Sequence, residues 1–523
     1  MIMTILEVVL FLATNALVSA SISSCLHGDP CWPTSDTLRE LSTNLTGSVL
    51  LSGDREWSSA IALKNKRLSI QPGAVVLCTT AADVVAALKF VSHHGLALSV
   101  KSTGHCYSGN CIAPRSLHID VSNLNSTIID PINMVMAVGP GSNFERMYTA
   151  ADEAGVLVVG GMCPTVGPVG FGLGGGHGPL IRSLGLGADN ILSVDLVTTA
   201  GDRILVSASA HSDLFWALRG GGGGAFGVVV GMTVRLHPAP RQMVSLSCAW
   251  PLVDKGVRVG EDILRKWTQD LMPSLPNEWT FFTTAMRSPL GPKAPGFNWF
   301  TMNGILAIEG LYNGEWNDTA GSNMLHPSIE AVLRLGKKEN KKENIQLHCA
   351  LANHTSFRAW HAQAWFADEG PIKFRTYMAS SFAQPGFDSV NHAKLVVDKV
   401  TQLPLNAINM MFAVQLGGKV SENENNATSV SKAFRTAVMM QENDSDWNLQ
   451  RADEHQIDWA KTTGNAFAAL KGFEGSYLNE PDPSLPRGVY EKRFWGDNFG
   501  ELQRVKRKWD AAGLFNCNQS VYN

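Results

Sequence analysis

The side chain best placed for chemistry is His105, which lies between Gly104 and Gly109 just after a short apolar run. Glycine flanks let the backbone turn sharply and present an imidazole, as a nucleophile or a covalent cofactor tether requires. A lone loop histidine is more commonly a hydrogen-bonded surface residue. Two dense glycine stretches follow, Gly170–Gly178 and Gly220–Gly224. With no Cβ in the way, their backbone N–H groups could approach an anionic or planar ligand. Tight turn packing explains one such stretch more comfortably than two. Gly170, Gly172 and Gly175 also match Gly-x-Gly-x-x-Gly, with Asp189 near the acidic position of a dinucleotide site. That reading fails on context. Pro164 and Pro168 stand where a strand should lead in, and Pro179 interrupts the helix that should follow. His348, Cys349, His354 and His361 fit no standard ligand spacing, so no metal is expected.

These residues need a frame to hold them. Short apolar runs predict strands at 75–78, 96–100, 118–121, 135–138 and 156–159, with helices over 81–93 and 144–154. Beyond the first glycine stretch, strands are expected at 191–198, 203–206 and 226–236, and a helix at 214–218. The alternation predicts an α+β domain that ends near Pro238 and Pro240. Residues 241–475 read differently. Strand-like runs at 243–250, 279–285, 297–311 and 408–416 alternate with helices at 263–271, 329–335 and 391–403. They predict an antiparallel sheet covered by helices. Nine of the 14 tryptophans fall here, and aromatic residues suit sheets, so core packing is the expectation. Stacking on a sugar or aromatic ligand is the alternative. The charged run 337–343 reads as a solvated loop.

Composition narrows the class. At 523 residues and 45% hydrophobic, the chain has material for about three domains and is not disordered. With 43 basic against 46 acidic residues the net charge is −3, which leaves no excess for a nucleic-acid backbone. Residues 5–18 are almost wholly apolar, and Val18, Ser19 and Ala20 form a small-residue cleavage pattern. Residues 1–20 are therefore expected to be a secretory signal peptide, although no Lys or Arg precedes the apolar run. No later run reaches the ~18 apolar residues of a membrane span. Seven Asn-x-Ser/Thr sequons, at Asn44, Asn125, Asn317, Asn353, Asn426, Asn443 and Asn518, suit a secreted, extracellular glycoprotein. Nine cysteines in an oxidising compartment leave one thiol over.

Several segments, taken in order, resemble the berberine bridge enzyme-like FAD-linked oxidases of the vanillyl-alcohol oxidase/p-cresol methylhydroxylase (PCMH) flavoprotein superfamily. They are Ser102–His105, Cys163–Gly167, Gly172–Gly178 through Arg182, Gly185–Asn190, Asp213–Gly220 with its glycines, and Phe226–Val229. The tail from Phe494 to Asn498, with Val505, Lys506, Asp510 and Phe515, resembles the C-terminal berberine-bridge segment. Tyr477 to Asn479 resembles the family's Tyr-x-Asn element. The match spans about residues 68–239 and 475–521.

The resemblance implies an α+β fold with a PCMH-type two-part FAD-binding domain, residues 68–239 plus a returning segment, 475–523. It leaves 21–67 as an N-terminal segment and 240–474 as a substrate domain with an antiparallel sheet. FAD is expected to be held twice, by His105 at flavin 8α and by Cys163 at flavin C6. Withdrawing Cys163 leaves eight cysteines for disulfides, and Cys106 is expected to pair with Cys111. Ser102, Thr103, Gly104, Tyr107, Ser108, Gly109, Thr165, Val166 and Gly167 are expected to cradle the cofactor. So are Gly172, Gly174, Gly175, Gly176, Gly178, Gly185, Asp189, Asn190, Gly227, Val228, Val229 and Asn498. The implied reaction takes two electrons from an alcohol carbon, preferably of a carbohydrate or oligosaccharide. Hydride passes to flavin N5, and O₂ as acceptor yields H₂O₂. An aromatic alcohol or alkaloid-type metabolite is the alternative substrate, and a secreted binding glycoprotein with a vestigial flavin the alternative role. Tyr477 is the candidate base, through a phenol whose pKa a nearby cation or donor must lower. Where the family often carries a carboxylate before a Gly-Gly pair, residues 411–418 offer only Gln415.

Overall fold

The computed structural model describes residues 24–287, 303–314, 327–336, 346–364, 374–403, 409–422 and 427–523. The expected signal peptide, Asn317, Asn426 and the run 337–343 lie outside these residues.

The short apolar strands of the first third build two sheets. In one, β1 (Ser48–Leu50), β2 (Ala74–Leu77), β3 (Leu98–Lys101) and β4 (Leu117–Asp120) lie in the order β1-β2-β4-β3, with β4 parallel to β2 and β3. Parallel strands need a crossover, and α1 (Ala81–His94) supplies it between β2 and β3. A Thr80–Asp83 capping box starts this helix, and Gly95 at φ 62° ends it. The second sheet contains β5 (Thr127–Asp130), β6 (Val135–Val138), β7 (Val156–Val158), β8 (Ile191–Val197), β9 (Arg203–Ser207) and β10 (Val228–Pro238). Strand β10 pairs antiparallel with β6, β7 and β8. The glycine stretches are connections of this sheet. The first joins β7 to β8 by way of α2 (Pro168–Leu173), and the second precedes β10.

The third sheet holds β11 (Met243–Pro251), β12 (Trp279–Met286), β13 (Ile305–Tyr312), β14 (His348–His354), β15 (Arg375–Ala383), β16 (Met410–Gln415), β17 (Met439–Trp447) and β18 (Phe473–Glu474). Their order is β14-β11-β13-β12-β16-β17-β15-β18, antiparallel throughout. Helices α3 (Val259–Lys266), α4 (Ser389–Thr401) and α5 (Asp453–Ala468) cover one face. Their Ile263, Val396, Val400 and Phe467 share a core with Met411, Ala413 and Met439 of the sheet. Side chains alternate along a strand, so Met410, Phe412, Glu442 and Asp444 belong to the opposite, uncovered face. Trp250, Trp267, Trp279, Trp360 and Trp447 are buried, as core packing expects.

The tail returns to the glycine segments through α6 (Phe499–Trp509). Trp495 Nε1 donates to Gly220 O (3.0 Å). Lys506 pairs with Asp510 at 2.7 Å, both wholly buried, and donates to the Ala225 and Phe515 carbonyls. Disulfides join Cys25 to Cys31, Cys106 to Cys111 and Cys248 to Cys349. The expected pool of eight paired cysteines is therefore corrected to six, because Cys78 and Cys517 remain thiols alongside Cys163. Burial pushes the Cys78 thiol's pKa up. One sequon is also corrected. Asn443 is buried in β17 and its amide donates to Ala460 O (3.0 Å), whereas Asn44, Asn125, Asn353 and Asn518 are exposed. Among the described residues no helix is long and apolar enough to cross a membrane.

Candidate active site

A cavity of about 350 Å³ lies between the glycine segments and the uncovered face of the third sheet. On one wall the chain leaves β3, turns through Gly104 at φ 80°, and is closed into a loop by the Cys106–Cys111 disulfide. This turn sets His105 on the wall. Its Nε2 lies 2.9 Å from Thr165 Oγ1, while its Nδ1 is buried with no protein partner. Burial first, and repulsion from Lys64 second, lower its pKa to about 3, so the imidazole is neutral and nucleophilic. Cys163 Sγ lies 3.5 Å from the same Thr165 hydroxyl. Burial lowers the Lys64 pKa, with the nearby Cys163 sulfur acting the other way. Thr103 Oγ1 accepts from Gly167 N (3.1 Å), which ties the histidine turn to the cysteine turn. Ser102, Thr103, Gly104, Tyr107, Ser108, Val166, Gly167, Gly227, Val228 and Val229 also line the cavity.

The glycines divide by what a side chain would strike. At Gly170, Gly223 and Gly224, all on the cavity, an added Cβ would meet nothing closer than 4.0 Å. At Gly174 it would fall 2.0 Å from Asn479 Oδ1, at Gly176 2.5 Å from the Phe171 ring, and at Gly178 2.0 Å from Gly160 O. At Gly172 it would press on Ile191 and at Gly109 on Leu68 and Ile70, while at Gly175, at φ 118°, it would only touch Phe434. None of these six lines the cavity, and all but Gly175 serve close packing. Gly185 ends a helical turn, its N–H donating to Ile181 O (2.8 Å). Asp189 is held by a buried ion pair with Arg435 at 2.6 Å, and Asn190 by the Leu184 and Leu186 carbonyls and His237. Asn498 donates to the Ser429 and Val430 carbonyls. The structure therefore moves all four from the cavity to the frame.

The opposite wall carries protons. Glu442 and Asp444 of β17 face the cavity, Glu442 directly across from Phe412 and Asp444 across from Met410 and Met378. Glu480, after the Tyr477 turn, joins them, its Oε1 3.0 Å from His177 Nε2. Burial pushes Glu480 up to about 7, with a hydrogen bond from Glu442 acting the other way. Burial lowers His177 to about 4, so the neutral ring donates from Nε2. Tyr477 Oη accepts from Gly176 N (3.1 Å) and Asn479 Nδ2 (2.8 Å). The expected phenol, lowered by a nearby cation or a positioned donor, is corrected. Burial, then the Glu480 charge, push its pKa up against the lowering by the Asn479 and Gly176 donors, and no lysine or arginine is among the described residues that line the cavity. Gln415 is corrected by parity. It shares the helix-covered face of β16 with Met411 and Ala413, and its amide donates to Met272 O (2.8 Å). The carboxylate sought on that strand stands one strand over, as Glu442. Sequence reasoning also missed Asp444, Glu480, His177 and Lys64. For Asp444 the one signal was three acids, Glu442, Asp444 and Asp446, at alternate positions between Met440 and Trp447.

The residues present fit FAD: a buried, unpartnered His105 Nδ1 and three glycines with open space above them. Known families agree. The family described as FAD binding domain matches residues 43–207, and that described as berberine and berberine like matches 476–522. A VAO-type flavoprotein oxidase of Thermothelomyces thermophilus is 29% identical over 476 residues, 87% of this chain and 77% of that protein. The solved structure of Physcomitrella patens BBE-like 1 superposes with a TM-score of 0.78 at 20% identity, covering 92% of this chain and 98% of that one. A xylooligosaccharide oxidase from Myceliophthora thermophila C1, solved with xylobiose, gives 0.75 at 22%, covering 93% and 98%. The fold is therefore that of the VAO/PCMH-type flavoproteins, and the chain is an FAD-linked oxidoreductase. Within that class it carries two family-model domains, the FAD binding domain and the berberine and berberine like segment.

Proposed function

We propose that the protein is a secreted FAD-dependent oxidase that takes two electrons from an alcohol carbon and yields H₂O₂. One observation carries this reading: a single cavity brings together two nucleophiles suited to fasten a flavin and a carboxyl pair suited to take a proton. A bound flavin supplies the two-electron acceptor. His105, through Nδ1, and Cys163, through Sγ, would fasten it at two points. The Glu442–Glu480 pair takes the substrate's hydroxyl proton, since a carboxyl held near 7 is matched to general-base work at neutral pH. His177 fixes Glu480 through Nε2. Tyr477, pinned by Gly176 and Asn479, keeps its own proton and orients the substrate oxygen with it. The likeness to a xylooligosaccharide oxidase supports an oligosaccharide alcohol. Met378, Met410 and Phe412 beside the acids favour a second reading, an aromatic alcohol or alkaloid-type substrate. Three disulfides support an oxidising, extracellular setting.

The test is an aerobic panel of oligosaccharides and aromatic alcohols given to the purified yellow protein. One H₂O₂ is expected per carbonyl formed. Bleaching that air never reverses would make the protein a dehydrogenase, and a colourless protein would remove the flavin reading altogether.

A further inference from the structure

The tail places an unassigned polar group in the cavity wall. Asn498, the tail residue expected at the cofactor, is occupied elsewhere, whereas Gln519 lines the cavity and is 3% exposed. Its Nε2 donates to the carbonyls of Asp482 (2.7 Å) and Leu485 (3.2 Å). Two carbonyl acceptors settle which end of the amide is nitrogen. Oε1 is thereby left buried with no protein partner. The backbone at Gln519 is also left-handed, φ 55°, a conformation that residues with a Cβ adopt only at a cost. An orphaned acceptor and a strained backbone at one cavity residue have a common explanation in a donor on the ligand.

We infer that Gln519 Oε1 accepts a hydrogen bond from the imide N3–H of the bound flavin ring. The inference rests on the flavin reading above. Gln519 hangs on Asp482, and Asp482 is two residues from Glu480, a reach of at most about 7 Å. Gln519 therefore serves the ring end of the cavity, where Glu480 and Tyr477 act, and not the adenine end. The oxidised ring carries a single N–H, at N3. That position lies on the edge opposite the 8α and C6 positions assigned to His105 and Cys163, so the ring would be held from both edges.

Titrating the flavin absorbance of the loaded protein towards alkaline pH reads the N3 proton without reference to turnover. Wild type is expected to lose it about one pH unit higher than Gln519→Leu, the shift that one hydrogen bond to the protonated form produces. Equal titration in the two flavin-loaded proteins overturns the inference while leaving the flavin reading intact. That is also the result if a ribityl hydroxyl is the donor. A wild-type protein without flavin overturns the reading beneath it. Where Gln519→Leu does not fold, wild type carrying flavin ¹⁵N-labelled at N3 decides. Exchange of N3–H with solvent much slower than in free flavin supports the bond, and exchange at the free-flavin rate overturns it.

Discussion

The two walls of the cavity offer a ligand different things. The glycine-framed wall offers backbone, with open space above Gly170, Gly223 and Gly224, and two nucleophiles that share the Thr165 hydroxyl. The sheet wall offers side chains that exchange protons: Glu442, Asp444, Glu480 and Tyr477. Burial acts on both with one rule, favouring whichever form is neutral. It lowers His105 to about 3 and raises Glu480 to about 7. The same desolvation therefore makes a standing nucleophile on one side and a carboxyl poised to exchange a proton on the other. What separates fastening from proton transfer is the type of side chain that each backbone carries in.

The largest effect that would break this division is on cofactor retention. Acid precipitation of the His105→Ala/Cys163→Ala double variant is expected to release all flavin to the supernatant, while either single variant keeps it in the pellet. Flavin mass on a Cys106 peptide, or a free Cys163 thiol in the yellow protein, would break the assignment. On the sheet wall, Glu442→Gln is expected to lower turnover ~10²–10⁴-fold with flavin content unchanged. Gln415→Leu, one strand away on the helix-covered face, is expected to leave turnover unaltered. Equal losses in these two variants would mean that strand parity does not decide which side chain acts.

The glycine wall was the more legible of the two, for physical reasons. Apolar spacing alone places helix 81–93 almost to its ends, and it forms as Ala81–His94, bounded by the Thr80 cap and the Gly95 stop. His105 and Cys163 stood out because glycines and their neighbours form local motifs. Even there, sequence shows that a residue is glycine and not what its missing Cβ would strike. Gly172–Gly178 therefore looked turned to a ligand when most of them admit Phe171, Asn479 or a backbone oxygen. Cysteine parity was no guide either, since Cys78 and Cys517 stay unpaired. Strand β17 was missed because Gln441, Glu442, Asn443, Asp444 and Asp446 occupy five of its nine positions, and acids argue against a buried strand. Its register with β15 and β16, set by residues far away in the chain, is what buries them. The carboxylate was consequently sought on β16, where local sequence could be read.

The smallest expected effect sharpens the comparison through pH. Glu480 has its pKa raised from an ordinary 4.5 to about 7, so between those values the folded chain holds a proton that the unfolded chain has lost. Its contribution to stability is thus complete below pH 4.5 and disappears as pH rises through about 7. Buried His105 and His177 act in the opposite sense. Their pKa values fall from 6.5 to about 3 and about 4, so they make the fold more stable as pH rises towards 6.5 and contribute no slope above it. The Glu480 slope is therefore clear of these histidines in the upper part of its range. Between pH 6.5 and 8 the wild-type melting temperature is expected to fall, and Glu480→Gln, which cannot titrate, is expected to flatten that fall. Turnover should move the other way, rising with pH through about 7 as the carboxyl pair loses its shared proton. Identical melting slopes in wild type and Glu480→Gln would place the raised carboxyl elsewhere. A rising limb of activity that survives the substitution would pass the base role to Glu442 alone.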